Sequence, residues 1–174
     1  MMLRDIGGTT RINLYVASND RGRVVTDELE IRGGADLAEH FDVNTPDGTE
    51  LSPGMLVSIS ADGSGSLEAT TSAYDRRVAG IVSGANGVMP GLTLRQDGAV
   101  ADGEVPVALT GRVYVLADAS NGSIAPGDLL TSADLPGHAM KATDRDRAQG
   151  AVIGKAMTCL DEGTGMVLVL VNLQ

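Results

Sequence analysis

Apolar and polar residues alternate along most of the chain, the period-two pattern of strands half-buried on a sheet. Residues 10–18, TRINLYVAS, set Ile12, Leu14 and Val16 against Arg11, Asn13 and Tyr15. Residues 18–22, SNDRG, carry turn chemistry, because short Asn and Asp side chains bond the local backbone and Gly tolerates positive φ. Residues 23–32, RVVTDELEIR, alternate again, with Val25, Asp27, Leu29 and Ile31 on one parity. Together these two runs predict a hairpin. The best helical stretch is GGADLAEHF (33–41), a turn or two long. From Leu51 onward, apolar runs recur between breaks such as SPG, ADGSGS, SGANG, MPG, SNGS, APG, LPG and DEGTG. Turns spaced by roughly 8–12 residues predict an all-β fold, a compact barrel or sandwich of short strands. The last run, GMVLVLVNLQ (165–174), is apolar on both parities and predicts a central strand covered on both faces.

The pattern also repeats. SPGMLVSISADGSGSLEAT (52–70) parallels APGDLLTSADLPGHAMKAT (125–143), and VAGIVSG (78–84) parallels VIGKAMT (152–158). Each unit predicts a Pro-Gly type II turn, a strand, a Gly-bearing hairpin, a second strand, a loop and a third strand. Gly80 and Gly154 fall at matching points of that third strand. A Gly inside a strand marks a bulge or a close backbone approach. The repeat makes 42–174 one body, and the chain is expected to divide into an N-terminal β arm, 1–33, and an all-β head, 34–174. A two-stranded hairpin is marginal alone in water. Full burial of Leu14, Val16, Leu29 and Ile31 is worth roughly 1.5–3 kcal/mol each. The cover comes either from the head or from other copies of the chain. In the second case the arm is an oligomerisation element.

Composition narrows the function classes. The 174 residues suit one domain, or one domain with a small appendage. A net charge of −10 argues against nucleic-acid binding, which depends on Lys and Arg neutralising phosphates. The longest apolar run, 166–171, falls far short of the roughly 18 residues of a membrane span, and no signal-peptide pattern opens the sequence. Cys159 is the single cysteine, so neither an intrachain disulfide nor a cysteine-based zinc cluster is expected. With three Tyr, one Phe and no Trp, the core must be Val, Leu, Ile, Ala and Met.

Motifs for chemistry are weak. GAVIGKA (150–156) has three residues between its glycines and Ala156 after Lys155, so it fails as a phosphate loop. His40 and His138 sit near carboxylates but lack a metal-ligand spacing. Neither DGSGS nor DEGTG follows the calcium-loop pattern, which leaves weak calcium binding as a minor alternative. Cys159 with His138, or a Ser with His and Asp, forms a triad only if the fold assembles it, since no nucleophile-elbow signature is present. No cofactor is expected. The stretch AYDRRVAGIVSGANG (73–87) raises another question. Tyr74, Asp75, Arg76 and Arg77 precede the strand that holds Gly80. A fixed Arg–Asp fork that ties loop to body, or to a neighbouring subunit, is the preferred reading over a binding site.

Five stretches occur in a familiar order: GADLAEHFDV (34–43), YDRRVAGIVSGANG (74–87), VPVALTGRVYV (105–115), IAPGDLLTSADLPGHAMKAT (124–143) and GAVIGKAM (150–157). Over 34–174 the chain resembles the C-terminal head domain of bacterial surface-fibre and phage tail-fibre-like proteins. The resemblance implies a trimeric all-β head with a structural or attachment role, at a cell surface or in a virion tail assembly. No match exists to the catalytic serine region of the self-cleaving peptidase that some fibre proteins carry. The leading expectation is a non-enzymatic homo-oligomer, a trimer, within a larger fibre or tail assembly. A receptor- or glycan-binding module, and a hydrolase or self-processing enzyme, are the alternatives.

Overall fold

A computed structural model describes residues 1–45 and 49–172. In chain order its strands are β1 (Met2–Arg4), β2 (Thr10–Val16), β3 (Gly22–Thr26), β4 (Asp36–Phe41), β5 (Val43–Asn44), β6 (Leu56–Ile59), β7 (Leu67–Ala69), β8 (Val78–Val82), β9 (Pro90–Leu94), β10 (Val105–Asp118), β11 (Leu129–Ser132), β12 (Ala139–Lys141), β13 (Val152–Ala156) and β14 (Thr164–Val171). A single turn of helix, α1 (Arg145–Ala148), lies between β12 and β13. The fold is all-β, and the chain divides into two compact units, Met1–Arg32 and Gly33–Gln174.

The first unit is a three-stranded antiparallel sheet in the order β1-β2-β3. The short first strand has no alternation long enough to be read from sequence. Residues 23–32 form a strand only as far as Thr26, which pairs with Ile12. Beyond that register β2 has only Thr10 and Arg11 left, so 27–32 lack a partner strand despite their alternation. Leu29 and Ile31 therefore lie outside the sheet, and the predicted shared apolar face shrinks to Leu14 and Val16 with β3.

The second unit is organised by β10. Its C-terminal half pairs antiparallel with β14 over eight positions, Gly111↔Val171 to Asp118↔Thr164. Its end also meets β12, Ala117↔Ala139, which closes β10-β12-β11-β13-β14 into a five-stranded barrel. The N-terminal half pairs instead with β4 and β8. Gly111 sits at the changeover with φ 108, and a Cβ there would meet the Ala35 carbonyl at 2.5 Å. Only glycine allows both the backbone turn and the approach. Val113, Val115, Ala117, Leu130, Ile153, Val167, Val169 and Val171 fill the barrel together with Leu56 and Ile81. A second cluster, Met55, Val57, Leu67, Ala69, Val82 and Val107, lies under β6–β8. Among the described residues Tyr74 is the one buried aromatic.

Two more expectations are corrected. Residues 36–41 form β4, not a helix, pairing antiparallel with β10 and parallel with β9. A helix of two turns is marginal by itself; sheet hydrogen bonds on both edges outweigh it, and Asp36 and Ala38 bury on one face. The last strand is central, between β10 and β13, but covered on one face only. Val167, Val169 and Val171 turn inward while Met166 and Leu170 stay exposed, because closing a barrel leaves its outer wall to solvent. Leu173 and Gln174 lie outside the described residues.

The two sequence units adopt matching pairings. β6 pairs antiparallel with β7 and β8, and β11 with β12 and β13. Val57 faces Gly80, and Leu130 faces Gly154. Each register shifts immediately afterwards, at Val57/Ser58 and at Leu130/Thr131. The Pro-Gly turns also match, with Gly54 at φ 94 and Gly127 at φ 93. Gly54 N–H donates to Val82 O, and Gly127 N–H to Ala156 O, both at 2.8 Å.

Candidate functional site at the Tyr74 loop

The loop between β7 and β8 is held by an unusual residue. Tyr74 is buried at φ 60, a left-handed conformation that costs a bulky side chain roughly 1–3 kcal/mol and persists only where the surroundings over-determine it. The surroundings here do so. Tyr74 N–H donates to Ser132 O, and its hydroxyl accepts from the Thr143 and Asp144 N–H groups, both at 2.9 Å. Asp144 in turn caps α1, accepting from the Asp146 and Arg147 N–H groups. The cap aims Arg147 back over the Tyr74 ring, 4.4 Å from its centroid, where one guanidinium nitrogen donates to Ala73 O. Burial alone would raise the Tyr74 phenol. The hydrogen bonds from Thr143, Asp144 and Asn121 outweigh it and hold the phenol below its usual range.

Asp75 and Arg77, with Glu68, form an ion-pair joint. The Asp75 side chain is 7% exposed, and its N–H donates to Ser132 Oγ at 2.8 Å. Arg77 forks onto it: Nε donates to Oδ1 at 3.2 Å and Nη2 to Oδ2 at 3.0 Å. The Arg77 N–H adds a bond to Oδ1 at 2.9 Å, and Nη1 reaches Glu68 on β7 at 3.0 Å. Burial would raise the Asp75 carboxyl, but these Arg77 bonds and the Ser58 hydroxyl hold it below the usual carboxylate range. The neighbouring Arg76 is exposed and has no hydrogen-bond or ion-pair partner among the described residues. One arginine of the pair, not both, ties the loop to the body.

The other residues singled out in the sequence are dispersed. Gly80 is buried on β8, where a Cβ would meet Val107 Cγ1 at 2.5 Å and Ala108 O at 2.7 Å. At Gly154 on β13 a Cβ would overlap the Leu170 carbonyl. Both glycines serve close strand contact in the sheet. Leu14, Val16, Leu29 and Ile31 are exposed by 37–67%. Cys159 is exposed, and the His138 ring bonds the Pro136 carbonyl at 2.8 Å. Among the described residues no group of three His, Cys, Asp or Glu is placed to hold a metal.

Beside Tyr74 lies a cleft of about 220 Å³. Its apolar lining comes from Ala73, Tyr74, Ala133, Leu135 and Met140, and its polar lining from Asp118, Ser120, Asn121, Asp134 and Arg147. Asp118, Ser120 and Asn121 lie at the turn after β10, Asp134 after β11 and Arg147 on α1, with no spacing motif to link them, so sequence reasoning had no signal for them. A second unforeseen feature is Asp36 at the start of β4. It is 5% exposed, and neither carboxylate oxygen has a hydrogen-bond partner among the described residues. Burial pushes this carboxyl above the usual range. The Ser83 hydroxyl and the Asp36 backbone moderate the rise without reversing it.

No family model matches the sequence, and no curated protein does. A solved structure, the crystal structure of the pre-mature bacteriophage phi29 gene product 12, has a similar fold. The TM-score is 0.60 at 14% identity, over 94% of this chain and 25% of that one. The chain thus spans about a quarter of that phage protein's length, and the likeness is one of fold.

Proposed function

We propose that the chain is a non-enzymatic structural and attachment module, the head of a homotrimeric fibre-like surface or phage-tail assembly, in which the 1–32 sheet joins the copies. One observation carries this reading: no residue of 1–32 is buried. Met2, Leu3, Leu14, Tyr15, Val16, Val24, Val25, Leu29 and Ile31 are each more than a third exposed. A chain of about 30 residues without a core, disulfide or metal does not hold a sheet by itself in water, so its apolar faces call for a cover. Other copies of the same sheet supply one with matching alternation, and they pair the open edges of β1 and β3. The fold shared with a phage gene product agrees with such a role, and the trimer follows the resemblance of 34–174 to fibre heads. The matched strand pairings of 52–84 and 125–158 fit an internal duplication.

Light scattering on the purified full chain tests the proposal. The expected mass is three times 17.8 kDa. Leu14→Glu and Val16→Glu should lower it while strand content persists, because the barrel core lies in the second unit. A stable monomer of the parent chain at micromolar concentration overturns the reading.

A further inference from the structure

The first residues of β4 hold a buried charge that the assembly reading does not use. Asp36 is 5% exposed, and among the described residues neither of its carboxylate oxygens has a hydrogen-bond partner. The comparably covered Asp75 carboxyl has the Arg77 fork instead. Asp36 pairs with Gly111 on β10, where a Cβ would meet the Asp36 Cβ at 3.2 Å. The carboxyl therefore lies on the inward face of β10, the face of Val113 and Val115. No positive charge shares that layer. β8, β9 and β14 carry no ionisable side chain. On β10, Arg112 and Tyr114 alternate onto the other face, and Asp118 stands at the end of the strand. On β4 itself, Glu39 takes the other face and His40 lies further along. Ser83, 4% exposed, is the neighbouring polar side chain, and it brings no charge. A buried carboxylate in such surroundings is costly and is relieved by taking up a proton or by reaching water.

The position of Asp36 makes water reachable by a small movement. It opens the first strand of the second unit, just after the division at Arg32 and Gly33. Gly33 has φ 101, and Gly34 lies so close to Gly91 that a Cβ would overlap its backbone. Once that contact is released, two adjacent glycines are a ready hinge. Few bonds hold the segment before the β4 ladder begins: Ala35 N–H donates to Met89 O at 3.1 Å, and Ala35 O accepts from Arg112 N–H at 3.0 Å. Opening the end of an element costs less than unfolding the barrel. We propose that Asp36 and the Gly33–Gly34 hinge form a proton-controlled latch. With Asp36 neutral, 33–36 stay seated on β9 and β10; with Asp36 ionised, they come away and free the chain that leads to 1–32. Burial sets the folded carboxyl above its unfolded value, near 3.9. The latch is therefore closed below that value, loosens as pH rises, and is fully loosened above the raised folded value. Its residues all belong to the second unit, so it operates in a monomer as in a trimer.

Amide hydrogen exchange of the full chain at about pH 4 and about pH 8, corrected for intrinsic rates, tests the latch. Protection of 33–37 should fall between the two, by about tenfold for each pH unit that burial adds to the carboxyl. Segments 113–117 and 167–171, in the barrel core, should keep theirs. Asp36→Asn, neutral at every pH, should hold 33–37 equally protected at both. Carboxyl NMR titration of the parent chain reads the folded Asp36 value directly, whatever the variant does to folding. A folded value at or below about 3.9 overturns the proposal. So do equal protection of 33–37 at both pH values in the parent, a pH dependence that survives Asp36→Asn, and a loss shared equally by the barrel core.

Discussion

Replacing Asp75 by Ala separates the two adjacent arginines energetically. The change removes the acceptor of three Arg77 bonds, at 2.9, 3.2 and 3.0 Å, and leaves Arg77 with Glu68 alone. Breaking a fully buried pair costs about 3–5 kcal/mol. Arg77, however, is 40% exposed, so water reaches the freed guanidinium and screens part of that loss. The Arg77 N–H and the ordered turn into β8 are not so easily rehydrated. The balance is a loss of about 2–3 kcal/mol, or roughly 4–12 °C in melting temperature at this chain size. Thermal unfolding followed by circular dichroism reads it directly. Arg76→Ala, which removes no contact, should stay within about 0.5 kcal/mol of the parent. The pH dependence has a definite sign. The folded Asp75 carboxyl is held below its unfolded value, near 3.9. Its stabilisation is present above that value and is lost as pH falls through the lower folded one. The difference between parent and Asp75→Ala should therefore be full at about pH 6 and shrink below about pH 4. Equal melting temperatures for parent and Asp75→Ala at neutral pH would refute the joint.

Two further substitutions probe the sheet and the buried charge. Gly154→Ala drives a Cβ into the Leu170 carbonyl, and Gly80→Ala one against Val107 and Ala108 O; each should cost about 1–3 kcal/mol or more, since backbone cannot rotate away. Gly22→Ala, with open space around it, should leave the melting temperature within about 0.5 kcal/mol of the parent, and an equal effect at all three sites would contradict the close-approach argument. Asp36 has a folded value above the unfolded one, so its ionisation opposes folding increasingly as pH rises from about 3.9 through the raised folded value. Asp36→Asn should therefore raise the melting temperature at about pH 7 and leave it unchanged at about pH 3; a drop at pH 7 would show that the carboxylate has a partner.

Much of the architecture was legible along the chain. Alternation and Pro-Gly turns sufficed for an all-β fold and composition for a core nearly free of aromatics, while the like spacing of 52–84 and 125–158 goes with like pairings, Gly80 opposite Val57 and Gly154 opposite Leu130. These features are local or nearly so: a turn needs its own φ values, and a strand shows its two faces in its own residues. The misreadings came where a neighbour decided. Residues 36–41 have helical spacing, yet β9 and β10 take up their hydrogen bonds. Residues 27–32 have strand spacing, yet β2 ends before it reaches them. The last strand is apolar on both parities, yet barrel closure buries one.

The site shows the same division. That Asp75 and an adjacent arginine would pair follows from their proximity in sequence. Which arginine pairs depends on Glu68 and Ser132, brought in from β7 and β11. The left-handed Tyr74 is stabilised by Thr143, Asp144 and Arg147, about 70 residues further on. The cleft draws on the turns at 118–121 and 133–135 and on α1. The sequence alone determines strands, turns and composition because these depend on residues a few positions apart. Tertiary structure alone decides the burial of Asp36, the strain at Tyr74 and the cleft beside it, because each arises where distant segments meet and exclude water.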